Sequence, residues 1–89
     1  MSRTGALKSK KIKCFIMKNE NTIKKLGYKV RIVRVDKGYS QETLAEKANL
    51  NRSFVGLLER GETNITVKNL ESIANALEVN IKELFDFTI

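Results

Sequence analysis

From Thr22 onward apolar residues recur three and four positions apart, and no polar-apolar alternation is long enough to make a strand. The chain therefore reads as all-α, with five short helices. The first spans about Thr22 to Lys37 with Ile23, Leu26, Val30 and Val33 on one face, and Gly38 supplies the left-handed residue that ends it. Ser40 caps a second helix to Ala48, which turns Leu44, Ala45 and Ala48 inward and sets Glu42 in the positively polarised first turn. Asn49 breaks it. Asn51 caps a third helix through Arg60, with Val55 and Leu58 inward and Gly61 closing its end. After the loop Glu62 to Ile65, Thr66 caps a fourth, whose Leu70, Ile73, Ala74 and Leu77 form the clearest amphipathic stripe of the chain. Asn80 and Glu83 make a capping-box-like pair for a fifth short helix.

Eighty-nine residues suffice for one small domain, and the helical pattern places it at residues 22–89. Residues 1–21 then form a basic N-terminal segment, expected to be flexible, in which Met17 is a candidate alternative start. Charge sharpens that division. Residues 1–25 carry eight basic side chains against Glu20 alone, residues 26–60 carry seven against four, and residues 61–89 carry two against five. The net charge of +7 thus comes with a polarity along the chain, basic at the start and acidic at the end, and it points to an anionic partner. A solvated lysine tail would give the same total, so the charge alone does not name a binding face.

Several classes of function drop out. A single cysteine, Cys14, and no histidine exclude an internal disulfide framework, a Cys/His zinc cluster and any reaction resting on a histidine base. No metal or organic cofactor is called for. The apolar run Cys14-Phe15-Ile16-Met17 falls far short of the roughly 18 residues that cross a bilayer, so a cytoplasmic setting with Cys14 as a free thiol is expected.

The segment Gln41 to Leu58 meets the demands of a helix-turn-helix. Ala45 is small where the next helix crosses it, Asn49 suits a left-handed turn position, and Leu50, Val55 and Leu58 seat the second helix. The residues left outside on that second helix are Arg52, Ser53, Phe54, Gly56 and Leu57. Arg52 and Ser53 occupy its first turn, the end that enters a major groove, where arginine can fork to guanine O6 and N7 or to phosphate.

Leu26-Gly27 to Gly38, followed by Ser40-Gln41-Glu42-Thr43-Leu44-Ala45 through Leu57-Leu58-Glu59-Arg60-Gly61, resembles the lambda-repressor-like (Cro/repressor, XRE) helix-turn-helix family over residues 23–86. More narrowly, Ala48-Asn49-Leu50-Asn51-Arg52-Ser53-Phe54 with Asn64-Ile65-Thr66-Val67-Lys68-Asn69-Leu70-Glu71 is similar to the controller proteins of bacterial restriction-modification systems. The extension before Thr22 has no counterpart in that pattern. The resemblance implies a five-helix DNA-binding domain in which Arg52 and Ser53 read bases and Gln41 touches phosphate or the outermost base. Phe54 has two readings, a contact to a thymine methyl or sugar and a core position beside Leu50 and Leu58. Thr63, Asn64 and Thr66 are phosphate candidates because free N–H groups and a positive helix end suit an anion. Ser40, Asn51, Leu57 and Arg60 join them as expected phosphate neighbours. Arg34 and Glu59 are expected to form a structural ion pair.

The C-terminal apolar residues Leu77, Val79, Ile81, Leu84, Phe85, Phe87 and Ile89 exceed what one short helix buries, which points to a dimer surface. The expected partners are double-stranded DNA, a second copy of the chain and, as a further candidate, RNA polymerase. The implied function is a homodimeric regulator that binds a pseudo-palindromic operator and activates or represses its own gene and the endonuclease gene. Two rivals stand beside it. One is an antitoxin-like interaction module on the same fold. The other is a nonspecific nucleic-acid binder driven by the basic tail.

Overall fold

The computed structural model describes the backbone from Lys8 to Phe87 and side chains from Thr22 to Phe87. Four α-helices follow one another, α1 (Lys8–Asp36), α2 (Gln41–Ala48), α3 (Arg52–Glu59) and α4 (Val67–Leu77), and a short 3-10 helix (Ile81–Phe85) follows them. No strand occurs among the described residues. Helix α2 packs on α3 and α4, α1 crosses α3, and the 3-10 helix closes against α1 and α4.

Local chemistry accounts for most of the boundaries. Gly38 (φ 81°) ends the first helical stretch. Ser40 Oγ accepts from Thr43 N–H at 3.0 Å, Asn51 Oδ1 from Ser53 N–H at 2.7 Å and Thr66 Oγ1 from Asn69 N–H at 3.1 Å, so each of α2, α3 and α4 begins on a side-chain cap. Each such cap contributes about 1 kcal/mol. Asn49 stands in the left-handed region (φ 58°, ψ 45°), and Leu50 N–H returns to Ala45 O at 2.8 Å, which makes the tight turn between α2 and α3.

Three features depart from the expectations drawn from sequence. Helix α1 begins at Lys8, so residues 8–21 are helical where a flexible segment was expected. The stretch is rich in lysine but holds neither glycine nor proline, and a helix already packed at its C-terminal half extends through such residues at little cost. Residues 1–7, the side chains of Cys14 and Met17, and Ile89 lie outside the described residues. The fifth helix is a 3-10 turn rather than an α-helix, and Asn80 makes no side-chain cap. Helix α4 ends on Glu78 in the left-handed region (φ 61°), a position with no glycine to announce it.

The third departure concerns the dimer surface. Leu77 and Leu84 have no accessible surface within the single chain, because Leu77 completes the α4 stripe and Leu84 drops into the same core as Leu44, Leu58 and Ile73. They have nothing left to offer a partner. The expected interface is therefore reduced to Val79, Ile81 and Phe87, which are half-buried, and Phe85, which is exposed.

Gly27 fixes how α1 meets α3. A Cβ at this position would collide with the Leu58 carbonyl oxygen and stand 3.0 Å from that of Glu59, both backbone atoms. The two helices touch main chain to main chain there. Gly27→Ala is expected to lower stability by about 2 kcal/mol, in the range for overpacking a rigid site; a thermal melt with an unchanged midpoint would contradict the close crossing.

Candidate nucleic-acid interface

Helix α3 divides cleanly into two faces. Val55, Gly56, Leu58 and Glu59 are buried, whereas Arg52 and Ser53 are exposed in the first turn and Phe54 and Leu57 are half-buried. The buried face seats the helix and leaves its N-terminal end outward, carrying a guanidinium and a hydroxyl. Phe54, half-buried, keeps a partly accessible ring beside them. Gly56, expected outside, is buried: a Cβ on it would lie 3.5 Å from an Arg60 guanidinium nitrogen and 3.6 Å from Gln41 Oε1, the two side chains that cover it.

Beneath this face lies a polar network centred on Glu59. Arg34 donates from Nε to Glu59 Oε2 at 2.6 Å and from Nη2 to Oε1 at 3.1 Å, a two-pronged pair whose side chains are 11% and 3% exposed. Gln41 Nε2 donates to the same Oε1 at 3.0 Å, and Arg34 Nη1 donates to Tyr39 O at 2.7 Å. Gln41, expected to meet DNA, is thus tethered to the carboxylate by its amide nitrogen, with Oε1 turned toward Gly56. Sequence reasoning missed this third member, since spacing does not report a hydrogen bond across 18 residues. It missed Tyr39 as well, whose ring also receives the Lys47 ammonium at 5.2 Å from its centroid.

The phosphate candidates sort into groups. Ser40, Asn51 and Thr66 are the caps of three successive helices, so all three mark positive helix ends. Ser40 Oγ also donates to Thr43 Oγ1 at 3.0 Å, which commits its hydrogen within the chain, while Asn51 caps through Oδ1 and so does not use its amide N–H donors for the cap. Thr63 and Asn64 belong to the α3–α4 loop, where Thr63 Oγ1 donates to Asn64 O at 3.4 Å. Arg60 extends into solvent and meets Glu62 at 3.1 Å, a pair 58% and 55% exposed that competes only weakly with a phosphate. Leu57 has no side-chain donor, and its carbonyl accepts from Glu62 N–H at 2.9 Å to close α3.

A paired set of short helices with a left-handed Asn between them and an outward first turn on the second is the architecture of a groove reader. The family model described as helix-turn-helix matches residues 30–84. The chain belongs to the lambda-repressor-like (XRE) helix-turn-helix family. Control protein C.BamHI of Bacillus amyloliquefaciens is 44% identical to it over 63 residues, 70% of this chain and 78% of that protein. The HTH-type transcriptional regulator SinR of Bacillus subtilis is 36% identical over 62 residues, 68% of this chain and 56% of that one. The crystal structure of the restriction-modification controller protein C.AhdI from Aeromonas hydrophila matches with a TM-score of 0.70 at 44% identity, covering 71% of this chain and 96% of that chain.

Members of this helix-turn-helix family are DNA-binding transcription regulators and not enzymes. Among the described residues no group of His, Cys, Asp or Glu is arranged to hold a metal, and no helix is long and apolar enough to cross a membrane. Glu59→Ala would leave the Arg34 guanidinium buried without its counter-ion, which is expected to cost about 3 kcal/mol. A denaturant titration checks this, and a midpoint equal to that of the natural chain would show that the network carries no stability.

Proposed function

We propose that this protein is a sequence-specific regulator of restriction-modification genes. In this reading it binds a pseudo-palindromic operator as a homodimer and sets transcription of its own gene and of the endonuclease gene, in the cytoplasm. The observation that carries it is the first turn of α3, where Arg52 and Ser53 stand exposed on a helix whose opposite face is locked into the core. The likeness to C.BamHI and C.AhdI supports the biological setting.

Arg52 and Ser53 are assigned to base edges, with Phe54 beside them against a thymine methyl or a sugar. Gln41, steered by Glu59, holds the edge of the site, and Asn51, Arg60, Thr63, Asn64 and Thr66 carry the phosphates. One α3 helix reads only a few base pairs, so a two-fold copy is needed for a site of useful length, with half-sites about one helical turn apart. Phe85, 45% exposed and edge-on to Phe87 with ring centroids 6.3 Å apart, heads the apolar group that supports pairing. RNA polymerase is the further partner that activation would require.

Selection from a random duplex pool is expected to return a two-fold motif. Arg52→Ala should weaken binding to that motif by about 1–3 kcal/mol and relax the preference at one position of each half-site. A variant that binds weakly but with the same preference would remove Arg52 from base reading. Phe85→Asp should sediment as a monomer, and a persisting dimer would move the interface elsewhere.

A further inference from the structure

The carboxamide of Gln41 has two chemically different ends, and its place in the fold decides which of them is free. Its Nε2 lies 3.0 Å from Glu59 Oε1, and its own Oε1 would stand 3.6 Å from a Cβ on Gly56. Charge forces this orientation. Glu59 pairs with Arg34 as a carboxylate and only accepts, so the amide presents its N–H to Glu59 and turns its oxygen away. The reverse orientation would set oxygen against oxygen at a carboxylate side chain only 3% exposed, where water cannot separate them. Among the described residues no hydrogen bond ends on Gln41 Oε1.

Gly56 puts that oxygen on the reading side of α3. It follows Arg52 by four residues, so it lies on nearly the same side of the helix, about 6 Å further along. Having no side chain, Gly56 leaves Oε1 uncovered from α3, and the Arg60 guanidinium that shares the spot belongs to a side chain 58% exposed. Arg52 and Arg60 bring only donors to this face, whereas Gln41 Oε1 only accepts. A phosphate also only accepts, so it has no hydrogen to offer Oε1. The matching groups in a major groove are the N6 amino group of adenine and the N4 amino group of cytosine. Guanine O6 and thymine O4 present acceptors in the corresponding place and would be repelled.

We infer that Gln41 is a specificity-determining residue whose Oε1 reads an exocyclic amino group, on adenine or cytosine, within about two base pairs of the base met by Arg52, given a rise of about 3.4 Å per pair. The inference rests on the DNA-binding reading above and deepens it by giving the contact a hydrogen-bond polarity. Glu59 never meets DNA in this scheme. It holds the amide in the one orientation that faces an acceptor outward, and the bond at 3.0 Å is made before any ligand arrives.

The test compares the full chain with Gln41→Met, which keeps side-chain length and helix propensity but has no amide. Starting from the selected operator, all four bases are placed in turn at the half-site positions flanking the one where Arg52→Ala relaxes the preference. At one of them the natural chain should bind adenine and cytosine about fivefold or more tightly than guanine and thymine. Gln41→Met should bind all four there nearly alike, with the preference at the Arg52 position and the melting temperature kept. A second measurement needs no protein variant. Adenine at that position is replaced by 2-aminopurine, which still pairs with thymine but carries its amino group in the minor groove, and the natural chain should lose a similar factor. A preference that survives in Gln41→Met, or equal binding of adenine and 2-aminopurine, would overturn the inference and leave the regulator reading standing. So would a loss of affinity in Gln41→Met that is the same for every base, which would make Gln41 a backbone contact. If the natural chain selects no motif at all, the regulator reading falls and the inference with it.

Discussion

Glu59 is the one charged side chain buried among the described residues, and the reading unit is organised around it. Its two oxygens collect two donors from Arg34 and one from Gln41, so a single carboxylate ties the end of α1, the start of α2 and the end of α3. Arg34 extends the tie to the α1–α2 connection through Tyr39 O. A carboxylate taken from water is tolerated only when its lone pairs are filled, and here the filling groups are the very segments whose mutual angle defines a helix-turn-helix. The network adds to the apolar core a polar tie among these three segments.

This arrangement gives Gln41 a double identity. Under the proposed function its position at the start of α2 puts it with the groups facing DNA, and by its hydrogen bond it belongs to the frame. A contact made through such a residue is pre-oriented, so less conformational freedom is lost when a ligand engages it. Arg52 differs in this respect. It stands exposed in the first turn of α3, outside that network.

How much of this is legible in the sequence follows from the range of the forces involved. Ser40, Asn51 and Thr66 act on N–H groups two or three residues away, and Gly38, Asn49 and Gly61 act on their own backbone, so the starts of α2, α3 and α4 and the ends of α1, α2 and α3 can be read from local chemistry. The stripe on α4 is equally plain. What escapes is set at longer range. Leu77 and Leu84 look like surplus apolar surface because periodicity counts large side chains without knowing that a 3-10 turn folds Leu84 back onto the core. Gly56 looks exposed because two polar side chains, Gln41 and Arg60, do the covering. The length of α1 is hidden by its charge, which suggests flexibility although lysine is a good helix former.

The crossing at Gly27 bears on how such a protein can change its target. At Gly27 itself no side chain stands between α1 and α3, so the closest approach of the two helices is made by main-chain atoms that any sequence on the outer face of α3 would share. Arg52 and Ser53 can then be exchanged for other residues without disturbing the seat of the helix. Under the proposed function a new binding preference needs only a few outward substitutions, and the frame that presents them is inherited unchanged.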